Sequence, residues 1–164
     1  MEGKATYRVL GIDPGLNVTG YGCVEFGPGE PVIVEAGALR PDSKATLARR
    51  ITQLHDDIAE ILAEHRVDAL AIEKLYSHYA HPQTAVRMAH ARGAILLTAE
   101  QAGTAVRDVP ATRVKKSLTG NGHATKRQIQ MAVRSVFGLA EPPRPADVAD
   151  ALAIALCAGR QLQM

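Results

Sequence analysis

Tryptophan is absent from this 164-residue chain, and only four tyrosines and two phenylalanines are present. Large aromatics therefore cannot dominate the interior, and Ala, Val, Leu and Ile must fill it. Cysteine is equally scarce: Cys23 and Cys157 both sit in apolar stretches. That excludes a disulfide scaffold, and no closely spaced Cys/His set offers a structural zinc; the two thiols are expected to pack as small hydrophobes. No apolar run approaches membrane-spanning length, and MEGKATYRVL lacks the basic-then-apolar pattern of a secretion signal. A cytoplasmic protein without membrane contact is the expectation. Repeats, low-complexity tracts and evident linkers are missing too, so residues 1–164 are expected to form a single domain.

Charge is unevenly placed. The net charge is +2, yet from Thr104 to Pro145 eight Lys/Arg stand against only two acids, Asp108 and Glu141. The rest of the chain is correspondingly acidic. A basic third suggests a polyanionic partner; a set of solvated helix faces has the same composition.

Apolar periodicity divides the chain into strands and helices. Tyr7 to Asp13, Gly20 to Phe26 and Pro31 to Leu39 read as three early strands bounded by Gly or Pro. Ser43 to His65 spaces Leu47, Ile51, Leu54, Ile58, Ile61 and Leu62 as on one helix face. Asp68 to Glu73 is a short buried strand, Pro82 to Ala102 a helix rich in small residues, and Thr104 to Val109 a fifth strand. A short basic helix capped by Thr112 follows and breaks at Gly120-Asn121-Gly122. Thr125 to Phe137 and Ala146 to Leu162 are the last two helices. The pattern is α/β, with strand order left open.

Four acids stand out against this frame. Asp13, in LGIDPGLNVTGYG, and Glu73, in DALAIE, each close an apolar strand. Ligand chemistry in open α/β sheets collects at such strand ends. Asp147 and Asp150 are three residues apart in the otherwise apolar ADVADALAIAL, on one helix face. Taken singly, each has an ordinary explanation: a turn for Asp13, a surface strand end for Glu73, a favourable helix dipole for the pair. Brought together, they would repel unless divalent cations screened them. Oxygen ligands suit hard ions, Mg²⁺ above all. Acids within and bases around such a site fit a metal-dependent nuclease.

Six stretches, LGIDPG, TGYG, AIEKLY, ARG, VKKSLTGNGHATK and DVADALAIAL, occur in this order between Leu10 and Leu156. Together they resemble the RuvC family of Holliday-junction resolvases. The resemblance implies a ribonuclease-H-like α/β fold, with a mixed five-stranded sheet flanked by helices. It implies a homodimer making paired cuts in four-way DNA junctions during recombination and repair, alongside the RuvA and RuvB branch-migration proteins. By the same resemblance Asp13, Glu73, Asp147 and Asp150 are the catalytic acids. They would hold Mg²⁺, two ions per subunit with Mn²⁺ able to substitute, and activate a water that leaves a 5′-phosphate and a 3′-hydroxyl.

Lys115 and Lys126 match basic positions near the DNA backbone, with Arg127, Lys116 and Arg113 as more distal phosphate contacts. Tyr76 falls where relatives place an aromatic against unpaired junction bases, where stacking would offset unstacking; Tyr79, His78 and His81 lie nearby. The segment Ala89-His90-Ala91-Arg92-Gly93 resembles the family's dimerisation helix. Its small residues, Ala85 among them, would serve close helix approach or packing on the chain's own sheet.

Rival readings remain open at this stage. Asp13-Pro14-Gly15 followed by Thr19-Gly20 resembles the first phosphate loop of actin-like ATPases and sugar kinases, but no second Asp-Gly-Gly-like turn follows. A non-cleaving junction binder would have no use for four acids. A related nuclease acting on another branched DNA would need them all.

Overall fold

The computed structural model describes residues 5–74 and 81–164. Ten elements run β1 (Tyr7–Asp13), β2 (Thr19–Phe26), β3 (Val32–Leu39), α1 (Leu47–His65), β4 (Ala69–Glu73), α2 (Pro82–Gln101), β5 (Ala105–Val109), α3 (Ala111–Thr119), α4 (Lys126–Phe137) and α5 (Ala146–Leu162). The expected strands and helices are all present, with ends shifted by a few residues.

Two of those shifts have clear causes. The helix expected from Ser43 begins only at Leu47, because Asp42 Oδ1 takes the Lys44 amide in a turn. Thr46 then caps the helix by accepting from the Arg49 amide. Thr112, expected as a cap, lies inside the first turn of α3. Pro110 is the N-cap instead, its carbonyl accepting from the amides of Arg113 and Val114, since a fixed proline φ suits a helix entrance. Thr125 does cap α4, in a reciprocal capping box with Gln128.

The sheet order is β3-β2-β1-β4-β5. The first three strands form an antiparallel meander, while β4 and β5 lie parallel to β1. Alternation along each strand separates two cores. Leu10, Ile12, Leu70 and Ile72 point to one face, against Leu54, Ile58 and Ile61 of α1 and Ala91, Ala94 and Ile95 of α2. Val9, Ala71 and Val24 point to the other, against α5, which α3 and α4 cover from outside. This double cover explains why α5 is buried continuously from Ala151 to Gly159. Cys23 and Cys157 are both buried and free, one in each core.

Close contact of α5 with the sheet depends on two glycines. A Cβ on Gly11 would lie 2.1 Å from the Ala151 carbonyl, and one on Gly20 2.1 Å from the Asp147 carbonyl. Both values are far inside contact distance, so the helix backbone rests directly on the strands. Gly20 pairs with Asp13 in the β1–β2 register. The start of α5 is thus set down beside the end of β1.

Candidate active site

Asp13 has the same strand parity as Val9 and Gly11, and Glu73 the same as Ala71. Both carboxylates therefore leave their neighbouring parallel strands on the α5 side of the sheet. There they meet Asp150, one turn into α5. Asp13, Glu73 and Asp150 line a single pocket of about 370 Å³ together with Lys115 of α3 and Lys126 at the head of α4. Lys126 Nζ is 3.9 Å from Asp150 Oδ2. Asp147 does not line this pocket, although its charge is felt by both Asp13 and Asp150.

The acids are in an unfavourable setting. Burial, then the charges of Asp150, Asp147 and Glu73, push Asp13 up to about 8, with Lys126 pulling the other way. Glu73 is raised by burial and by Asp150, against the pull of Lys115 and Lys126. Asp150 is raised chiefly by burial and partly by Asp147; Lys126, a hydrogen bond with Asp13, and Lys115 lower it. Paired carboxyl groups that share a proton are the usual outcome of such crowding.

Among the described residues no three His, Cys, Asp or Glu side chains meet closely enough to form a ready cage. Three acids nevertheless line one cavity and perturb one another. The two observations differ in scale: the acids share a pocket without meeting at a point. An all-oxygen, mutually repelling, half-buried donor set fits a hard divalent cation, which would offset the repulsion and replace lost solvent.

The remaining expected residues fall outside this pocket. Arg127 lines a neighbouring groove with Arg134 and Arg144, between α4 and the proline-rich 141–145 segment. Tyr76, His78 and Tyr79 lie outside the described residues. Along α2, Ala91 is buried against the chain's own core, whereas Ala89, His90 and Gly93 are exposed.

Several positioning contacts had no obvious signature in the sequence. Thr19, fully buried, closes the turn after Asp13: its hydroxyl donates to the Gly15 carbonyl at 2.7 Å and accepts from the Gly15 amide at 3.1 Å. Arg50 of α1 grips the same turn, donating to the Leu16 carbonyl and to Asn17 Oδ1. The glycines under α5 did leave a signal. Gly20 and Gly22 recur with period two in β2, marking one strand face where another backbone comes close.

A family model described as "Crossover junction endodeoxyribonuclease RuvC" matches residues 9–158. The chain belongs to the RuvC family. A relative of that name from Rhodopirellula baltica is 48% identical over 149 residues, covering 91% of this chain and 84% of its own. One from Halorhodospira halophila is 43% identical over 150 residues, covering 92% and 88%. Among solved structures, Thermus thermophilus RuvC in complex with Holliday junction substrate aligns with a TM-score of 0.89 at 33% identity, over 96% of each chain. A second structure of T. thermophilus RuvC aligns at 0.87, also at 33% identity and 96% coverage of each. The yeast mitochondrial resolvase Ydc2, at 11% identity and a TM-score of 0.66 over 92% of this chain and 78% of its own, shares the fold. The ribonuclease-H-like α/β architecture expected from the motifs is the one observed.

Proposed function

We propose that this chain is a crossover-junction endodeoxyribonuclease that hydrolyses phosphodiesters in four-way DNA, with Asp13, Glu73, Asp147 and Asp150 as its metal-binding acids. One observation carries the reading: Asp13, Glu73 and Asp150 share a pocket with Lys115 and Lys126, and Asp13 is pushed up to about 8 there. Nothing in nucleotide or DNA binding alone calls for three half-buried acids gathered in one pocket.

Each group has work that its position allows. Asp13 and Glu73 hold the strand-end side of the metal set, Asp150 the helix side, and Asp147 adds charge from the edge. A divalent cation such as Mg²⁺ held by these acids would supply Lewis acidity for phosphodiester hydrolysis. Two ions per subunit, with Mn²⁺ as a substitute, suit four acids. Lys115 and Lys126 stand at the rim, where an ammonium stabilises charge developing on the phosphoryl oxygens. Arg127 and the groove beside it would neutralise phosphates further along the strand. Tyr76 is proposed as a stacking surface for unpaired junction bases.

Residues 1–164 are taken to act as one nuclease domain in the cytoplasm; among the described residues no helix is long and apolar enough to cross a membrane. A homodimer through the exposed face of α2 would set two such pockets about a two-fold axis for paired cuts. Val86 and Leu97, 56% and 54% exposed, give that face its apolar character. Sedimentation should then report twice the chain mass. RuvA and RuvB are the proposed partners; their addition should alter the rate of junction resolution.

The deciding assay uses an end-labelled synthetic four-way junction beside a linear duplex of the same sequence. Paired symmetric nicks that need Mg²⁺, occur in the junction alone and vanish in Asp13→Asn are the expected result. Equal cutting of the duplex would overturn junction selectivity. Undiminished cutting by Asp13→Asn would remove Asp13 from the catalytic set.

A further inference from the structure

Arg92 belongs to a short motif, Ala91-Arg92-Gly93, whose flanking residues have separate uses: Ala91 fills the core and Gly93 lies on the exposed face. Arg92 does neither. Its side chain is only 14% exposed, and its guanidinium spans the ends of two parallel strands. Nη1 donates to the main-chain carbonyl of Glu73 at 2.7 Å, and Nη2 pairs with Asp108 Oδ1 near the end of β5.

The side of the sheet from which it acts is informative. Asp108 stands opposite Ile72 in the β4–β5 register, so both belong to the α1/α2 face. The Glu73 carboxylate leaves on the opposite face, toward α5 and the acid pocket. Arg92 therefore grips Glu73 from behind the sheet, by its backbone, while the carboxylate works in front. The grip is applied where ladder support runs out. β4 ends at Glu73, beyond which the Lys74 amide still reaches the Val109 carbonyl.

We propose that Arg92 is a positioning residue for the nuclease reaction, with Asp108 as its anchor: by fixing the Glu73 carbonyl from the rear of the sheet, it sets the direction in which the Glu73 carboxylate enters the metal pocket. A planar fork suits this, since one guanidinium serves two acceptors at a fixed angle and an ammonium cannot. Small errors in ligand placement are costly at such sites, and loss of an outer contact that orients a metal ligand typically costs about 10- to 100-fold in metal affinity or activity. The inference rests on Glu73 being a ligand.

Three readings on Arg92→Gln, Arg92→Lys and Asp108→Asn test it, with Glu73→Gln as control. They are the Mg²⁺ midpoint of single-turnover junction cleavage, junction affinity without divalent ions, and the rise in melting temperature on adding Mg²⁺. For Arg92→Gln the midpoint should move up by about tenfold or more. The Mg²⁺-induced rise in melting temperature should shrink, and junction affinity should stay within about twofold. Arg92→Lys should recover part of the loss. Asp108→Asn, altering a half-exposed group, should fold normally and shift the midpoint the same way by a smaller factor, so the test survives an unstable Arg92 variant.

A wild-type Mg²⁺ midpoint in Arg92→Gln, or in Asp108→Asn where Arg92→Gln does not fold, overturns the proposal. So does a lower metal-free melting temperature with no change in midpoint, which marks a purely structural tie. If Glu73→Gln cleaves like wild type, Glu73 is no ligand and the underlying reading falls with the inference. A dead Glu73→Gln beside a normal Arg92→Gln sinks the inference alone.

Discussion

The strands carry charged groups at both ends, and the two ends treat them differently. Where β1 and β4 begin, Arg8, Glu25, His65, Glu35 and Asp68 all have partners. Arg8 Nε donates to Glu25 at 2.8 Å, Arg8 Nη1 to the His65 carbonyl at 2.8 Å, and the Arg8 amide to Asp68 at 2.7 Å. His65 pairs with Glu35 alongside. Where β1 and β4 finish, Asp13, Glu73 and Asp150 crowd together, and among the described residues their one ion pair is the long contact between Lys126 and Asp150. Paired charges near a surface hold elements in register at small net gain. Unpaired acids in a pocket destabilise the protein unless something else supplies the charge. One end is tied by paired charges; the other leaves the repulsion of its acids unsatisfied, which suits their proposed role as metal ligands.

The largest effect should come from removing an acid at the unsatisfied end. Asp13→Asn should lower junction cleavage by about 10³-fold or more, since a lost metal ligand removes several kcal/mol of transition-state stabilisation. The same substitution should make the metal-free protein more stable at pH 8. The sign follows from linkage: Asp13 is held near 8 when folded and has an ordinary carboxylate value when unfolded. Its contribution is therefore fully present below the unfolded value and lost as pH rises toward 8. Melting temperature without metal should fall across that window in the wild type, more steeply than in Asp13→Asn. The variant should melt higher at pH 8, by at least about 3 °C. Identical pH profiles would mean that Asp13 is not buried as a strained acid.

An intermediate effect is expected from the seat of α5. Gly20→Ala places a methyl group against the Asp147 carbonyl, so the helix must lift. Overpacking of this kind costs about 1–3 kcal/mol, and here it also displaces two acids from Asp13. Denaturant unfolding and cleavage should both be impaired, cleavage more; a loss of stability with full activity would separate the seat from the site. The smallest effect should lie at the paired end. Arg8→Gln should cost about 1 kcal/mol, seen as a lower denaturant midpoint, and leave cleavage unchanged. Lost cleavage there would mean that the two ends are coupled.

Legibility of the molecule from its sequence followed the range of the signal. Strands and helices were readable because their patterns are local, and Asp13 and Glu73 because an acid ending an apolar run is conspicuous. The one-turn spacing of Asp147 and Asp150 was equally visible, but not that Asp150 alone of the two would line the pocket; that depends on where α5 lands. Strand order, the partner that the β2 glycines receive and the rearward grip of Arg92 on Glu73 all join residues distant in sequence. No window along the chain contains them. Thr112 illustrates the opposite failure: a good local cap lost to a proline two residues earlier.

The order in which the acids occur along the chain has a consequence of its own. Asp13 is made before Glu73, and Asp147 and Asp150 follow both, on the helix that fills the core between sheet and outer helices. Synthesis proceeds from the N-terminus at about 5–20 residues per second. For most of that time the ribosome carries a segment with strands but no α5 to lay on them. A chain without α5 thus lacks one of its two cores and two of its four acids, and both arrive on the same helix. The proposed metal site is therefore complete only once α5 has been made and laid on the sheet.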